Sequence, residues 1–468
     1  VQGNSEEAGA EEPVPTRKGR VYGWALLIAL GGLLFGFDTG VISGALLFVK
    51  HDFALNSFQQ GTVVSILLIG AMIGALSAGR LADRIGRRRA LLFESVVFAI
   101  GTLIAVAAID YWMLLAGRLV LGLAIGGASA TVPIYLSELS PNAIRGRTLS
   151  FNQLFITGGI LIAYLVNLVF AGAGDWRAMF AVGFVPAAVL IAGALWVLPE
   201  SPSWLLAQGR ADEARRVVRR VMGEKQADEL VDSIQQATEE SGGHLGDEDE
   251  GGWRHLARKQ VRPALVVGLV LAAIQQFGGI NTIIYYAPSV IEKTGLSASN
   301  SIFYSVFIGL INLLMTVVAL RLVDRVGRRF LLVASLGGMT VTMALLGLSF
   351  VIGLSPELSL LFMVAYIAVY AGGLGPIFWV LVGEVFPPTV RAAGSGAATA
   401  VNWASNFVVG LLFLPVAGVI GQGETFWIFG AICLAGLFFV LRYVPETRGE
   451  SPDEVARGLQ QRFAGRKG

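Results

Sequence analysis

Asp38 and Arg118 each interrupt a long apolar run, and an ionisable group deep in such a run is a functional candidate by default. Counting about 1.5 Å per residue from the ends of their runs puts both near mid-run, within one or two helical turns of each other in depth. Either charge alone is expensive there; together they can form an ion pair. The pair has two readings. It is a fixed structural salt bridge, or a reversible one in which Asp38 takes up a proton, releases Arg118 and changes the balance between two conformations. The sequence Gly36-Phe-Asp38-Thr-Gly40 leaves small neighbours, and so room for water, beside the carboxylate.

A second set of polar residues is neutral. It comprises Gln153, then Gln275, Gln276 and Asn281, then Asn312, and Asn402 with Asn406, all inside apolar runs. Trp379 follows Gly375-Pro376, and Trp403 adjoins Asn402. Amides both donate and accept toward hydroxyls, and indole faces cover the C–H surface of a sugar ring. Many amides with few charges suit a neutral polyhydroxylated ligand. An amino acid or a phosphorylated substrate would need buried counter-charges, which these runs lack. For Asn312 and Asn406, hydrogen bonding between helices is an equal reading. Gly278-Gly279 can break a helix and turn its backbone groups toward a cavity.

The elements that must carry these residues are membrane spans. The chain has 468 residues, of which 54% are hydrophobic and only 15% charged, where soluble proteins carry about 25% charge. Twelve runs are long enough for the roughly 20 apolar residues a crossing needs: 21–49, 53–79, 90–109, 111–137, 148–174, 178–199, 263–291, 294–320, 330–356, 358–383, 392–423 and 425–441. The fold class is therefore an all-α membrane protein with twelve transmembrane helices. The net charge of +2 gives nucleic acid no electrostatic foothold. One cysteine, Cys433, and three scattered histidines exclude an internal disulfide framework and argue against a bound metal. No deep nucleophile–base set or paired catalytic carboxylates are present, so the reading is not an enzyme and needs no cofactor. Glu94 and Asp110 lie near span ends and carry topological readings.

Basic residues orient the spans. With both termini on one side, 31 of the 35 Lys and Arg residues fall on that side, and only Lys50, Arg177 and Lys293 on the other. The positive-inside rule makes that side cytoplasmic. The polar, acidic start is not a signal peptide, so the first run is expected to be retained. The expected organisation is a flexible cytoplasmic tail (1–20), an N-terminal six-helix bundle (21–199), a cytoplasmic connector (200–262), a C-terminal six-helix bundle (263–445) and a cytoplasmic tail (446–468), mobile from Pro452. Within the connector, 211–222 and 227–238 read as amphipathic helices before a loose acidic, Gly-rich stretch at 241–252.

The halves repeat. Arg80-Leu-Ala-Asp-Arg-Ile-Gly-Arg-Arg88 returns as Arg321-Leu-Val-Asp-Arg-Val-Gly-Arg-Arg329. Glu138-x-x-Pro141-x-x-x-Arg145 returns as Glu384-x-x-Pro387-x-x-x-Arg391, and Pro199-Glu-Ser201 as Pro445-Glu-Thr447. Each pair follows corresponding spans six apart, the mark of two parallel bundles related by an axis along the membrane normal. Such bundles can rock about a central site. Glu138, Arg145, Glu384 and Arg391, joined by Arg88, Arg329, Glu200 and Glu446, are expected as inter-helix ion pairs gating the cytoplasmic face. Gly70, Gly74 and Gly79 on the second span, and Gly117, Gly122, Gly126 and Gly127 on the fourth, permit close approach, although ordinary glycine richness accounts for any one of them.

These motifs resemble the sugar porter family of the major facilitator superfamily. The resemblance runs from about Tyr22 to Gly449, through Gly79–Arg88, Pro133–Gly146, Pro199-Glu-Ser-Pro-Ser-Trp-Leu205, Gln275-Gln-Phe-Gly-Gly-Ile-Asn281 with Tyr285-Tyr286, Asp324–Arg329, Gly375-Pro-Ile-Phe-Trp379 and Pro445-Glu-Thr-Arg-Gly449. It implies the major facilitator fold. It further implies that Gln153, Gln275, Gln276, Asn281, Asn312 and Asn402 hydrogen-bond a sugar, that Trp379 packs against its ring, and that Tyr285 and Tyr286 form an extracellular gate. Ser203 stands where the family commonly has arginine. Proton-coupled members resemble this chain in pairing an aspartate at Asp38 with the span-four arginine, so the resemblance favours import of a neutral monosaccharide or polyol with a proton as coupling ion. A passive sugar facilitator is the alternative mechanism, and a non-transporting sugar receptor the alternative of another class. The expected setting is the cell membrane, multi-pass, with one chain sufficient for function.

Overall fold

The computed structural model describes residues 18–221, 228, 255–256, 258–387 and 390–464. Among these, twelve helical segments are long and apolar enough to cross a membrane: Gly19–Asp52, Ser57–Ile85, Arg87–Val106, Tyr111–Leu139, Ile144–Ala171, Trp176–Trp196, Arg262–Glu292, Ala298–Val323, Arg328–Val351, Pro356–Val385, Ala393–Ile420 and Gln422–Tyr443. Helix is the form in which a single segment can satisfy its own backbone in hydrocarbon. The even number of spans puts both ends of the bundle on one side, here the terminal face; the opposite side is the distal face.

Packing repeats as the sequence does. Span two packs on four and span eight on ten; span one on five and seven on eleven; span three on six and nine on twelve. The halves meet through spans two and eleven, five and eight, and one and seven. Each of these three contacts maps onto another, or onto itself, when the halves are exchanged. The fold is thus two pseudo-symmetric six-helix bundles.

Three spans are broken. Span six divides at Val182-Gly183, span seven at Gly278-Gly279 and span ten at Gly372-Gly373. Gly279 takes φ +95°, a left-handed conformation that suits glycine. The sequence suggests that this break turns backbone groups toward a cavity. The carbonyl of Gly278 is instead taken by the Tyr366 hydroxyl at 2.8 Å, which supplies the partner that hydrocarbon would not.

Glycines bring the first-half helices into backbone contact. Gly32, Gly36, Gly40 and Gly44 form one i,i+4 stripe on span one against span five, and a Cβ at Gly36 would overlap the Ile156 carbonyl. Gly70 and Gly74 interlock with Gly122 and Gly126 in the same way, whereas Gly79 faces open space. The ordinary-richness reading therefore holds for Gly79 and fails for the other six, since a Cβ at Gly117 or Gly127 would meet Ala105 or Glu94.

Both expected tails contain helix. Residues from Lys18 extend span one, so the flexible N-terminal reading does not reach 18–20, and 1–17 lie outside the described residues. Pro452–Ala464, expected to be mobile, is a helix that packs on spans seven, ten and twelve. Its Val455 and Leu459 are buried, and Ser451 and Glu454 cap its start reciprocally. In the connector, Pro202–Ala207 and Ala211–Arg219 are helical; the amphipathic stretch at 227–238, apart from residue 228, and the acidic stretch at 241–252 lie outside the described residues.

One site on span one and one on span five test the glycine packing. Gly36→Val forces a side chain into the span-five backbone and is expected to cost about 1–3 kcal/mol or more. Gly158→Ala, where nothing lies within 4 Å of a new Cβ, should stay within about 0.5 kcal/mol. Thermal unfolding in detergent measures both, and equal shifts would refute the packing account.

Candidate functional site

Asp38 and Arg118 meet as the sequence expects. Arg118 Nη1 donates to both Asp38 carboxylate oxygens at 2.7 Å, and both side chains are buried at 1–2% exposure. Arg118 Nε also donates to the Val63 carbonyl at 3.2 Å. One guanidinium on span four therefore ties spans one and two together. The flanking Gly36 and Gly40 make no open space beside Asp38; they are packed against span five. Their expected role as room for water is corrected to close helix packing.

The second half carries a connected amide network. Asn281 Nδ2 donates to Gln276 Oε1 (2.6 Å), Gln276 Nε2 to Asn402 Oδ1 (3.0 Å), Asn402 Nδ2 to Gln275 Oε1 (2.5 Å), and Gln275 Nε2 to the Gly375 carbonyl (3.1 Å). The break in span seven explains the gathering: Gln275 and Gln276 end one helix, and Asn281 lies in the first turn of the next. The chain of bonds closes on span ten beside its own break at Gly372-Gly373. Gln153 is half-buried, Asn312 is buried, and Trp379 is 46% exposed with its ring edge-on to Phe378. No hydrogen bond joins these three to the network among the described residues.

Tyr285 and Tyr286 follow Asn281 on the distal half of span seven. Asn406 Nδ2 donates to the Tyr285 oxygen at 3.2 Å, and Tyr286 donates to the Gly410 carbonyl at 2.6 Å. Asn406 thus serves helix packing. The two halves come together around this level. Tyr164 of span five donates to the Ile284 carbonyl at 2.8 Å, Gly61 of span two lies against the Leu411 backbone, and the Lys50 ammonium meets the Glu292 carboxylate at 2.6 Å. Burial, then the Lys50 charge, hold the neighbouring Lys293 below the ordinary lysine pKa. Nearer mid-span, Phe35 of span one packs on Trp403 of span eleven with ring centres 5.7 Å apart. Asn406 follows the helix-to-helix reading given for it, and Tyr164 is a contributor that the motifs did not single out.

At the terminal face the charged motifs take partners other than those expected. Glu138 pairs with Arg87 at 3.0 Å and Glu384 with Arg328 at 3.0 Å. Arg145 and Arg391 turn back onto the carbonyls of Ser137 and Phe386 at the ends of spans four and ten. Arg88 donates to the Ala194 and Leu195 carbonyls, and Arg329 to that of Leu441, again at helix ends. Glu200 accepts from the backbone N–H of Arg88, and Glu446 from those of Arg328 and Arg329. The physical reason is helix termination: last carbonyls attract cations, and first N–H groups attract carboxylates. Every one of these bonds lies within one half. Among the described residues, the one ion pair between halves is Lys50–Glu292, at the distal face.

The halves are therefore bound together at the distal side, with their terminal-face charges engaged inside each bundle. The family model described as "Sugar (and other) transporter" matches residues 24–459. The "Probable metabolite transport protein CsbC" of Bacillus subtilis is 41% identical over 457 residues, 97% of this chain and 96% of that protein. The "Galactose-proton symporter" of Escherichia coli is 37% identical over 445 residues, 93% of each chain. Among solved structures, the "Inward open conformation of the xylose transporter XylE from E. coli" matches with a TM-score of 0.81 and 30% identity, covering 93% of this chain and 99% of that one. The chain belongs to the sugar transporter family of the major facilitator superfamily, as a multi-pass membrane transporter and not an enzyme.

Proposed function

We propose that this chain is a secondary active transporter that imports a neutral monosaccharide or related polyol together with a proton, by alternating access within a single chain. The arrangement that carries the reading is the buried Asp38–Arg118 pair in one half together with an uncharged amide network in the other. The excess of basic residues on the terminal face supports a cell-membrane setting with both termini in the cytoplasm.

A sugar hydroxyl both donates and accepts, so it can insert into a head-to-tail amide chain and replace each bond it displaces. Gln275, Gln276, Asn281 and Asn402 are assigned to that contact, with Gln153 and Asn312 as further hydrogen-bonding groups and Trp379 as the apolar surface for the ring. Tyr285 and Tyr286 form the outer gate, closed here together with Tyr164 and the Lys50–Glu292 pair. The likeness to an inward-open relative and the closed distal face support an inward-facing state.

Proton binding at Asp38 removes the charge that holds Arg118. That frees the link from span four to spans one and two, which both reach the second half. The terminal-face residues Arg88, Glu138, Arg145, Glu200, Arg329, Glu384, Arg391 and Glu446 hold helix ends together, so each bundle moves as a body. Relatives named for galactose and for xylose lie at comparable similarity; competition for proton-driven uptake by glucose, galactose, xylose and inositol selects the substrate.

In reconstituted vesicles, Asp38→Asn is expected to abolish uphill uptake and sugar-evoked proton entry while sugar still equilibrates downhill. Uphill uptake retained by the variant would overturn the coupling role of Asp38, and wild-type uptake that never exceeds equilibrium would make the chain a passive facilitator. Asn402→Ala removes a side chain making three hydrogen bonds in the network. Losing one hydrogen bond to the sugar, at about 0.5–1.5 kcal/mol, should raise the sugar Kd about 2- to 10-fold in a calorimetric titration; an unchanged Kd would remove Asn402 from the binding site.

A further inference from the structure

One carboxyl group inside the membrane is left without a task. Glu94 of span three, which its sequence position marks as topological, is buried at 5% exposure. Its Oε1 accepts from Thr131 Oγ1 at 2.6 Å, and the backbone of Gly127 lies against the carboxyl group. Its Oε2 is buried without any hydrogen-bond partner. Glu94 forms part of the wall of a small cavity otherwise lined chiefly by Leu34, Leu91, Phe98, Ala124 and Leu190, with space for about one water molecule.

The charged groups on every element packed against Glu94 are engaged or distant along their helices. On span three, Arg87, Arg88 and Arg89 lie at the first turn, with Arg87 on Glu138 and Arg88 on the end of span six. On span four, Arg118 is held by Asp38, and Glu138 by Arg87. Span two carries Arg80, Asp83 and Arg84 toward its terminal end, and span six carries Arg177 at its distal end, bound to the Ala108 carbonyl. The nearest functional charge is on span one. Leu34, in the cavity wall, and Asp38 are four residues apart, on one face of that helix. The span-one wall of the cavity thus lies one helical turn from Asp38, on its terminal side.

We propose that Glu94 is a second proton-binding group, which relays the proton from Asp38 toward the terminal face. This rests on the proton-coupled reading above. Glu94 first yields its proton to water on the terminal side, leaving a carboxylate in an apolar wall. An unpaired charge there is costly, so it draws a proton. The Asp38 O–H bond breaks, the proton passes along water over the helical turn between Asp38 and the cavity, and an O–H bond forms at Glu94 Oε2. Asp38 becomes a carboxylate again and recovers Arg118. The cavity suits a proton better than a metal cation, because calcium or magnesium takes six or more oxygens. Here Glu94 and Thr131 are the free suppliers, since Ser95 Oγ is turned onto the Leu91 carbonyl at 2.6 Å.

Vesicle assays of sugar-evoked proton entry test this with Glu94→Gln, Glu94→Asp and Asp38→Asn side by side, each checked for thermal unfolding. Glu94→Gln should slow proton entry about 100-fold, and Glu94→Asp should restore part of it. Infrared difference spectra with and without sugar should show a carboxyl C=O band that Glu94→Gln removes and Glu94→Asp shifts. Wild-type proton entry in Glu94→Gln, or no band assignable to Glu94, would overturn the relay. If Asp38→Asn itself keeps uphill uptake, the coupling reading fails first. If Asp38→Asn is uncoupled while Glu94→Gln is normal, only the relay fails. A Glu94→Gln protein that does not fold leaves the decision to the wild-type band and to Glu94→Asp, in which a normal rate with no carboxyl band counts against the relay.

Discussion

Asp38 and Arg118 occupy a place where neither could stand alone, and the surrounding helices follow from keeping them together. An ionised side chain at a bilayer centre costs about 2.5–3.5 kcal/mol even on insertion scales, and removing one partner of a buried pair costs about 3–5 kcal/mol. Arg118 meets this constraint with three acceptors on two other spans: both oxygens of Asp38 on span one and the Val63 carbonyl on span two. Spans one and two are also two of the three first-half helices that touch the second half. Span one is further fixed to span five by its glycine stripe. Whatever changes the charge of Asp38 thus acts on the helices that form the interface between bundles, without a long chain of intermediaries.

The terminal face shows a different use of charge. Its arginines and glutamates are spent on helix ends, where four carbonyls or four N–H groups lack partners within the helix. The turn between spans two and three is an example: Gly86 takes φ +97°, and the carboxylate of Glu200 arrives from beyond span six to cap the start of span three. The same device recurs at Gly327 with Glu446. Each bundle is thereby stiffened where its helices turn, while the contact between bundles carries few polar bonds. A rigid-body rearrangement needs such a partition.

Much of this was legible because the strongest signals were local. Run length specified the twelve spans, the repeated motifs specified the halves, and depth counting brought Asp38 to Arg118. What escaped depended on the rotation of helices about their axes. Glu138 could be matched to a cation but not to the right one, since Arg87 reaches across from span three while Arg145 folds back onto the end of span four. Glu94 was misread because distance from the start of a run does not say which face a residue occupies. Two signals were present and unread: the spacing of Gly32, Gly36, Gly40 and Gly44 on span one, and Ser451-x-x-Glu454 as the start of a final helix.

The repeat also separates what the two halves share from what they do not. Helix-end capping occurs twice, as do the contacts between spans. The chemistry occurs once in each form. Spans seven and ten, the counterparts of one and four, carry charge only near their ends, and the connected amide network lies wholly in the second half. A carrier with both functions in one half could bind its two substrates without moving the other half at all. Under the proposed function, placing the protonatable groups in one half and the connected amide network in the other makes joint occupancy a property of the interface. There Phe35 meets Trp403, one residue from Asn402, and span one meets the distal half of span seven just beyond Asn281. Under the proposed function, the symmetric scaffold supplies two states, and the asymmetric placement of charge and amide links the choice between them to both ligands.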